Sequence, residues 1–106
     1  MTYDEMAESL GIRLPAHFTT RPITRTDTLA FLKVAAVELD PSIDDEIVPW
    51  RRTYRICRLA RESGEKLGIR LPASYWSVDR AFVLAGVAGL PNEVPLRKQA
   101  FDWARR

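Results

Sequence analysis

Few residues of this chain are of the kinds that do chemistry, and their spacing argues against catalysis. A general acid–base pair needs two titrating groups held close together with shifted proton affinities. The one histidine, His17, has no evident partner. The one cysteine, Cys57, falls on the apolar side of an amphipathic stretch, where a cysteine is ordinarily a small core residue rather than a nucleophile. A single cysteine also excludes an internal disulfide and a multi-thiol metal site. Asp44, Asp45 and Glu46 gather three carboxylates, the raw material of a metal or acid–base site. They also stand in the first turn of a short helical segment opened by Ser42, where negative side chains meet the positive end of the helix dipole. That structural role is the expected one. Glycine-rich phosphate loops, paired-histidine metal spacing and the Gly-x-Ser-x-Gly elbow are all missing. The expectation is a protein that is not an enzyme and carries no cofactor or metal.

What remains is positive charge. Arg51, Arg55 and Arg58 share one face of a helical pattern, with Arg52 beside them. The whole chain, 106 residues with 16 basic and 14 acidic side chains, has a net charge of only +2. That total hides an asymmetry. Residues 1–50 hold four basic residues against nine carboxylates, and residues 51–106 hold twelve against five. Such a split fits a basic binding face, two halves that attract each other, or two ordinary solvated faces.

The elements that must position these residues are announced by a repeat. Leu10-Gly11-Ile12-Arg13-Leu14-Pro15-Ala16 returns unchanged as Leu67-Gly68-Ile69-Arg70-Leu71-Pro72-Ala73. Glu8 and Glu65 precede the two copies, and Phe18 and Tyr75 follow them. Val48-Pro49-Trp50-Arg51-Arg52 is echoed by Val94-Pro95-Leu96-Arg97-Lys98, and Ala30-Phe31 more faintly by Ala81-Phe82. Self-similarity of this length points to a duplicated helical unit. In each elbow glycine supplies the turn, isoleucine and leucine reach into the core, arginine points out and proline opens the next helix.

The chain then reads as helices throughout. Thr2 and Glu5 form a capping box for a helix whose inner face is Tyr3, Met6, Ala7 and Leu10. Pro15 opens a short helix that Pro22 curtails. Residues 19–27 read as a loop, with Thr26 or Asp27 capping the next helix. Thr28 to Leu39 is apolar on nearly all sides, the pattern of a central, buried helix that Asp40-Pro41 stops. The longest helix runs from Pro49 to about Leu67, with Thr53, Ile56, Cys57, Ala60, Ser63, Gly64 and Leu67 on its inner side. Gly64 marks either a close approach by a neighbour or an early end. Pro72 opens a helix that continues to Gly86 or Gly89, with Tyr75, Val78, Phe82 and Ala85 as its stripe and Trp76 and Val83 on flanking faces. Leu90-Pro91-Asn92-Glu93 turns the chain. Pro95 starts a last helix striped by Leu96, Ala100 and Trp103, widened by Phe101 and Ala104, with Arg105 and Arg106 at its negative end. Period-two alternation is absent. The fold expected is all-α, about six helices in one compact domain of two similar helix–corner–helix units, roughly 1–47 and 48–94, with a closing helix at 95–106.

No apolar run is long enough for a membrane span, and the acidic start lacks the basic head and apolar core of a signal peptide. With one free cysteine, the expected location is a reducing cytoplasm.

Tyr3-Asp4-Glu5-Met6-Ala7-Glu8-Ser9-Leu10-Gly11-Ile12 resembles the first helix and turn of bacterial helix-turn-helix DNA-binding domains, which commonly read aromatic, acidic pair, apolar, Ala, then Leu-Gly-Ile or Leu-Gly-Val. The resemblance covers about ten residues. It implies a regulator of transcription that contacts double-stranded DNA. In the first copy the recognition helix would begin near Pro15 and offer His17, Thr19, Thr20 and Arg21. In the second, Leu-Gly-Ile is kept and the following helix carries Ser74, Ser77 and Arg80 into a major groove. Phosphate contacts would fall to Arg51, Arg52, Arg55, Arg58, Arg70, Arg97 and Lys98. The rival expectation is a helical protein-interaction module. It would be an inhibitor or antiactivator of a protein partner, of the kind phages and plasmids carry, or a homodimer in which the 95–106 helix packs on its twin. Trp50, Trp76 and Trp103 are its natural anchors if exposed, and core residues otherwise.

Overall fold

The computed structural model describes residues 2–18, 22–92 and 94–105. Among them are five α-helices and no strand: α1 (Tyr3–Leu10), α2 (Arg25–Leu39), α3 (Pro49–Lys66), α4 (Ser77–Val87) and α5 (Pro95–Arg105). Three short 3-10 turns, Ala16–Phe18, Pro41–Asp45 and Ala73–Tyr75, link them. The expected sixth helix, the one opened by Pro15, is the first of these turns. Proline sets the entry, but Phe18 is drawn into the core after one turn.

In α1 the Thr2 hydroxyl accepts the Glu5 backbone N–H at 3.2 Å and also reaches the Glu5 carboxylate at 3.3 Å. Tyr3, Met6, Ala7 and Leu10 are all buried. Three rings tie this helix to α2: Tyr3, Phe18 and Phe31 have centroids 5.1, 5.5 and 5.4 Å apart, two of the three contacts edge-on.

The two elbows make matching hydrogen bonds. Gly11 and Gly68 both take the left-handed conformation, with φ of 69° and 72°. Gly11 N–H donates to Glu8 and Ile12 N–H to Ala7, while Gly68 N–H donates to Glu65 and Ile69 N–H to Gly64. Phe18 N–H meets Pro15 O as Tyr75 N–H meets Pro72 O, each at 3.0 Å. Arg13 and Arg70 are exposed, and Ile12, Leu14, Ile69 and Leu71 pack against the core. The likeness belongs to the elbows. The helices leading in differ, 8 residues in α1 and 18 in α3.

Helix α2 is capped by Thr24, whose hydroxyl accepts Asp27 N–H at 3.1 Å, rather than by Thr26 or Asp27. The cap falls two residues earlier because Thr24 is the extended residue, which leaves Asp27 to meet the dipole in the first turn. Only one side of α2 is fully buried (Thr28, Phe31, Leu32, Ala35, Ala36), while Ala30, Glu38 and Leu39 are exposed. The central helix is instead α3, which packs on both α2 and α4, with α4 in turn against α5. It buries Trp50, Tyr54, Cys57, Ala60, Ser63 and Gly64. Gly64 is a close approach: a Cβ there would stand 3.3 Å from Leu32 Cδ1.

Helix α4 is rotated from the expected setting. Trp76, Val83 and Val87 face the core, whereas Val78, Phe82 and Ala85 face outward and Tyr75 is half-buried. Both stripes are apolar, so periodicity alone does not choose between them. Three contacts hold the rotation: Asp79 pairs with Lys33 of α2, Arg80 Nε donates to the Ala104 carbonyl of α5, and Gly86 lies against Trp50 of α3. Gly86 is therefore an interior crossing point rather than a helix end.

Candidate functional site

Pro49 at the first position of α3 places Trp50 inward and the arginines that follow outward. The arginine row expected to grip a partner is largely occupied within the chain. Arg52 pairs with Asp44 at 3.1 Å. Arg55 reaches the Asp40 carboxylate at 2.9 Å, the Ser42 hydroxyl at 2.6 Å and the Ser42 carbonyl at 3.2 Å. Arg58 pairs with Glu62 at 3.1 Å and lies over the Tyr54 ring. Arg51 lies over the Trp50 ring, its Nε buried without a hydrogen-bond partner. Asp44, from the acidic cluster, is thus a guanidinium partner, and among the described residues no group of His, Cys, Asp and Glu could hold a metal ion.

The remaining candidates are scattered. Arg80 is turned onto α5. Arg97 donates to the Val87 carbonyl at 3.3 Å and to Asn92 at 2.8 Å, and lies over Phe101. Ser77 donates to the Ser74 carbonyl at 2.9 Å across the start of α4. Arg70 and Lys98 are exposed, with no hydrogen bond or ion pair to a described residue. His17 is exposed against the Phe18 ring, while Thr19, Thr20, Arg21, Glu93 and Arg106 lie outside the described residues.

Two titrating groups are perturbed for structural reasons. The Ser42 hydroxyl, above all, holds the Asp40 carboxyl below its ordinary value; desolvation opposes it, and the Arg55 guanidinium adds to the lowering. Burial, reinforced by Asp79, pushes the Cys57 thiol up to about 12. A thiol that stays protonated is a poor nucleophile.

All three tryptophans are buried, so none is an exposed anchor. The α5 stripe is spent inside the chain as well: Ala100, Trp103 and Ala104 are buried, and Trp103 meets Tyr54 edge-on at 5.9 Å. Exposed large apolar side chains stand singly at Ile23, Leu39 and Ile47, while α4 carries two, Val78 at 78% and Phe82 at 47% exposed, alongside exposed Ala81 and Ala85 and, just past its end, Ala88. Between Arg70 and Glu93 the only charged residues are Asp79 and Arg80, and both are turned onto their own chain. In a chain with 28% charged residues, that leaves one helix face without any charge.

No family model, curated protein or solved structure matches the chain. None of the described helices is long and apolar enough to cross a membrane.

Proposed function

We propose that the protein is a helical protein-interaction module, and that the outer face of α4 closes on the same face of a second copy. The observation that carries this reading is the exposed Val78–Phe82–Ala85 face of α4, which bears no charged side chain. A contiguous apolar face of this kind marks a contact site. The second copy is favoured by a step in side-chain size. Val78, in the first turn of α4, and Phe82, at its middle, are bulky, whereas Ala85, near its end, and Ala88, just past it, are small. In an antiparallel crossing whose two-fold axis passes between Phe82 and Ala85, Phe82 of each helix meets Ala85 of the other and Val78 meets the Ala88 end, the reciprocal contacts of an isologous interface. No like charges oppose each other there.

The test is light scattering coupled to size exclusion at micromolar concentration. The wild-type chain is expected to run as a dimer and Phe82→Glu as a monomer with an unchanged circular-dichroism spectrum. A monomeric wild type, or a Phe82→Glu variant that still pairs, overturns the reading.

Duplex DNA binding is the second reading. It is favoured by Arg70 and Lys98, exposed and unpartnered, the first of them in the elbow that leads to α4. It predicts gel-shifted mixed duplex at low salt and steep loss of binding as salt is added. An unshifted duplex at low salt refutes it. The two-unit reading of the chain is likewise a proposal, supported by the matching hydrogen bonds of the two elbows.

A further inference from the structure

The aromatic residue that follows the heptapeptide is packed into the core at the first elbow but not at the second, where a cleft opens. After the first, Phe18 is 2% exposed and wedged between Tyr3 and Phe31. After the second, its counterpart Tyr75 is only half-buried. Beside it opens a cleft of about 700 Å³, within the roughly 300–1,000 Å³ range of small-molecule sites. Its apolar lining comes from Leu32 of α2, Ile69 and Leu71 of the elbow, and Trp76 at the start of α4. Arg61, Arg70 and Arg80 also line it. The one carboxylate in the lining, Glu65, is already paired with Arg61 at 3.6 Å. Arg70 makes no hydrogen bond or ion pair to a described residue, and Arg80 lines the cleft with its Nε donated to the Ala104 carbonyl. Helix α4 begins at this wall, and no side chain caps its first turn.

We infer that this cleft is a binding site for a small anionic ligand with an apolar body, a carboxylate on a hydrocarbon skeleton. Three guanidinium groups against one paired carboxylate give the lining an excess of positive charge. Arginine is suited to the task because its planar fork meets a carboxylate in two parallel hydrogen bonds. The apolar lining sets the other half of the ligand. A bare inorganic anion would leave Leu32, Ile69, Leu71 and Trp76 in water, whereas a hydrocarbon body removes that surface from it. A duplex backbone fails on the same ground, since its bases are stacked inside the helix and only sugars and phosphates would face Trp76. The inference does not depend on the docking face of α4, because the cleft is lined by Trp76 and Arg80, whereas Val78 and Phe82 form the outward face.

The test is calorimetric titration of the whole chain with octanoate, octanol and inorganic phosphate, on wild type and on Arg70→Glu, Arg70→Gln, Lys98→Glu and Phe82→Glu. Octanoate is expected to bind one molecule per chain, and octanol at least about tenfold more weakly, the factor that one charge-assisted contact supplies. Arg70→Glu is expected to lower octanoate affinity by about tenfold or more and Arg70→Gln by less, with Lys98→Glu without effect. Arg70 is exposed and makes no hydrogen bond or ion pair to a described residue, and circular dichroism of each variant confirms the fold before the comparison. Phe82→Glu binds octanoate as wild type does, whether or not the chain pairs, which separates this site from the docking face. Equal affinity for octanol and octanoate, phosphate binding as tight as octanoate, unchanged affinity in Arg70→Glu, or no octanoate binding at all would each overturn the inference.

Discussion

Gly86 of α4 lies directly on the side chain of Trp50 of α3. A Cβ at position 86 would stand 2.3 Å from Trp50 Cβ and 2.6 Å from its Cγ. Trp50 Cβ is fixed to the backbone, so no rotamer change relieves the overlap, and the two helices can cross this closely only over glycine. Gly86→Ala must push them apart. The overpacking penalty, about 1–3 kcal/mol, exceeds the gain in helix propensity of about 1 kcal/mol. Urea unfolding is expected to give a lower midpoint for Gly86→Ala than for wild type. A variant as stable as wild type would mean that the α3–α4 crossing is wrong.

The elbow glycines make a different prediction, because open space surrounds them. No atom lies within 4 Å of a Cβ built at Gly11 or Gly68. Their constraint is the backbone alone, and alanine in that conformation costs about 1–2 kcal/mol. Gly11→Ala and Gly68→Ala should therefore lose similar stability by chemical denaturation, and asparagine at either position should lose less. Unequal losses would show that the two elbows, despite matching hydrogen bonds, are held differently.

Lys33 of α2 and Asp79 of α4 meet at 2.7 Å with side chains 33% and 18% exposed. The pair links two helices that both pack on α3, and Asp79 also bears on buried Cys57. A double-mutant cycle with Lys33→Ala and Asp79→Ala is expected to return a coupling of about 1 kcal/mol, at the upper end for partly screened pairs. The coupling should shrink in added salt. A coupling of zero would remove the pair from among the contacts that set the rotation of α4.

Asp40 predicts how stability responds to acid. The Ser42 hydroxyl and Arg55 lower its carboxyl from the ordinary 3.8 in the folded chain. A lowered folded value means the unfolded chain takes up the proton first. The stabilisation is therefore complete above 3.8 and is lost as the pH falls through the depressed value. Melting curves of wild type and Asp40→Asn should differ by a constant amount near neutral pH and converge in acid below that range. A difference that persists undiminished in strong acid would count against the Asp40–Ser42–Arg55 arrangement.

The features legible in the sequence were those set by neighbours in the chain. The Thr2 cap, the α1 face of Tyr3, Met6, Ala7 and Leu10, both left-handed glycines and the bounds of α3 all follow from contacts within a few residues. The buried setting of Cys57 followed from the one-sided pattern of α3 for the same reason. The arginine row was equally visible, but its neutralisation was not, because Asp40 and Ser42 reach Arg55 only when the Pro41–Asp45 turn folds back onto α3.

Local chemistry, then, determined that the chain is helical and where its two elbows bend. A left-handed glycine or a proline at a helix start states its conformation without reference to anything distant. The rotation of α4 was decided only in three dimensions. Its two apolar stripes compete on equal terms in the sequence, and the choice rests on Lys33, Trp50 and the Ala104 carbonyl, groups from three other helices. That choice turned Val78 and Phe82 to the surface and Trp76 to the wall of the cleft, so the surfaces proposed to bind are products of packing between distant parts of the chain.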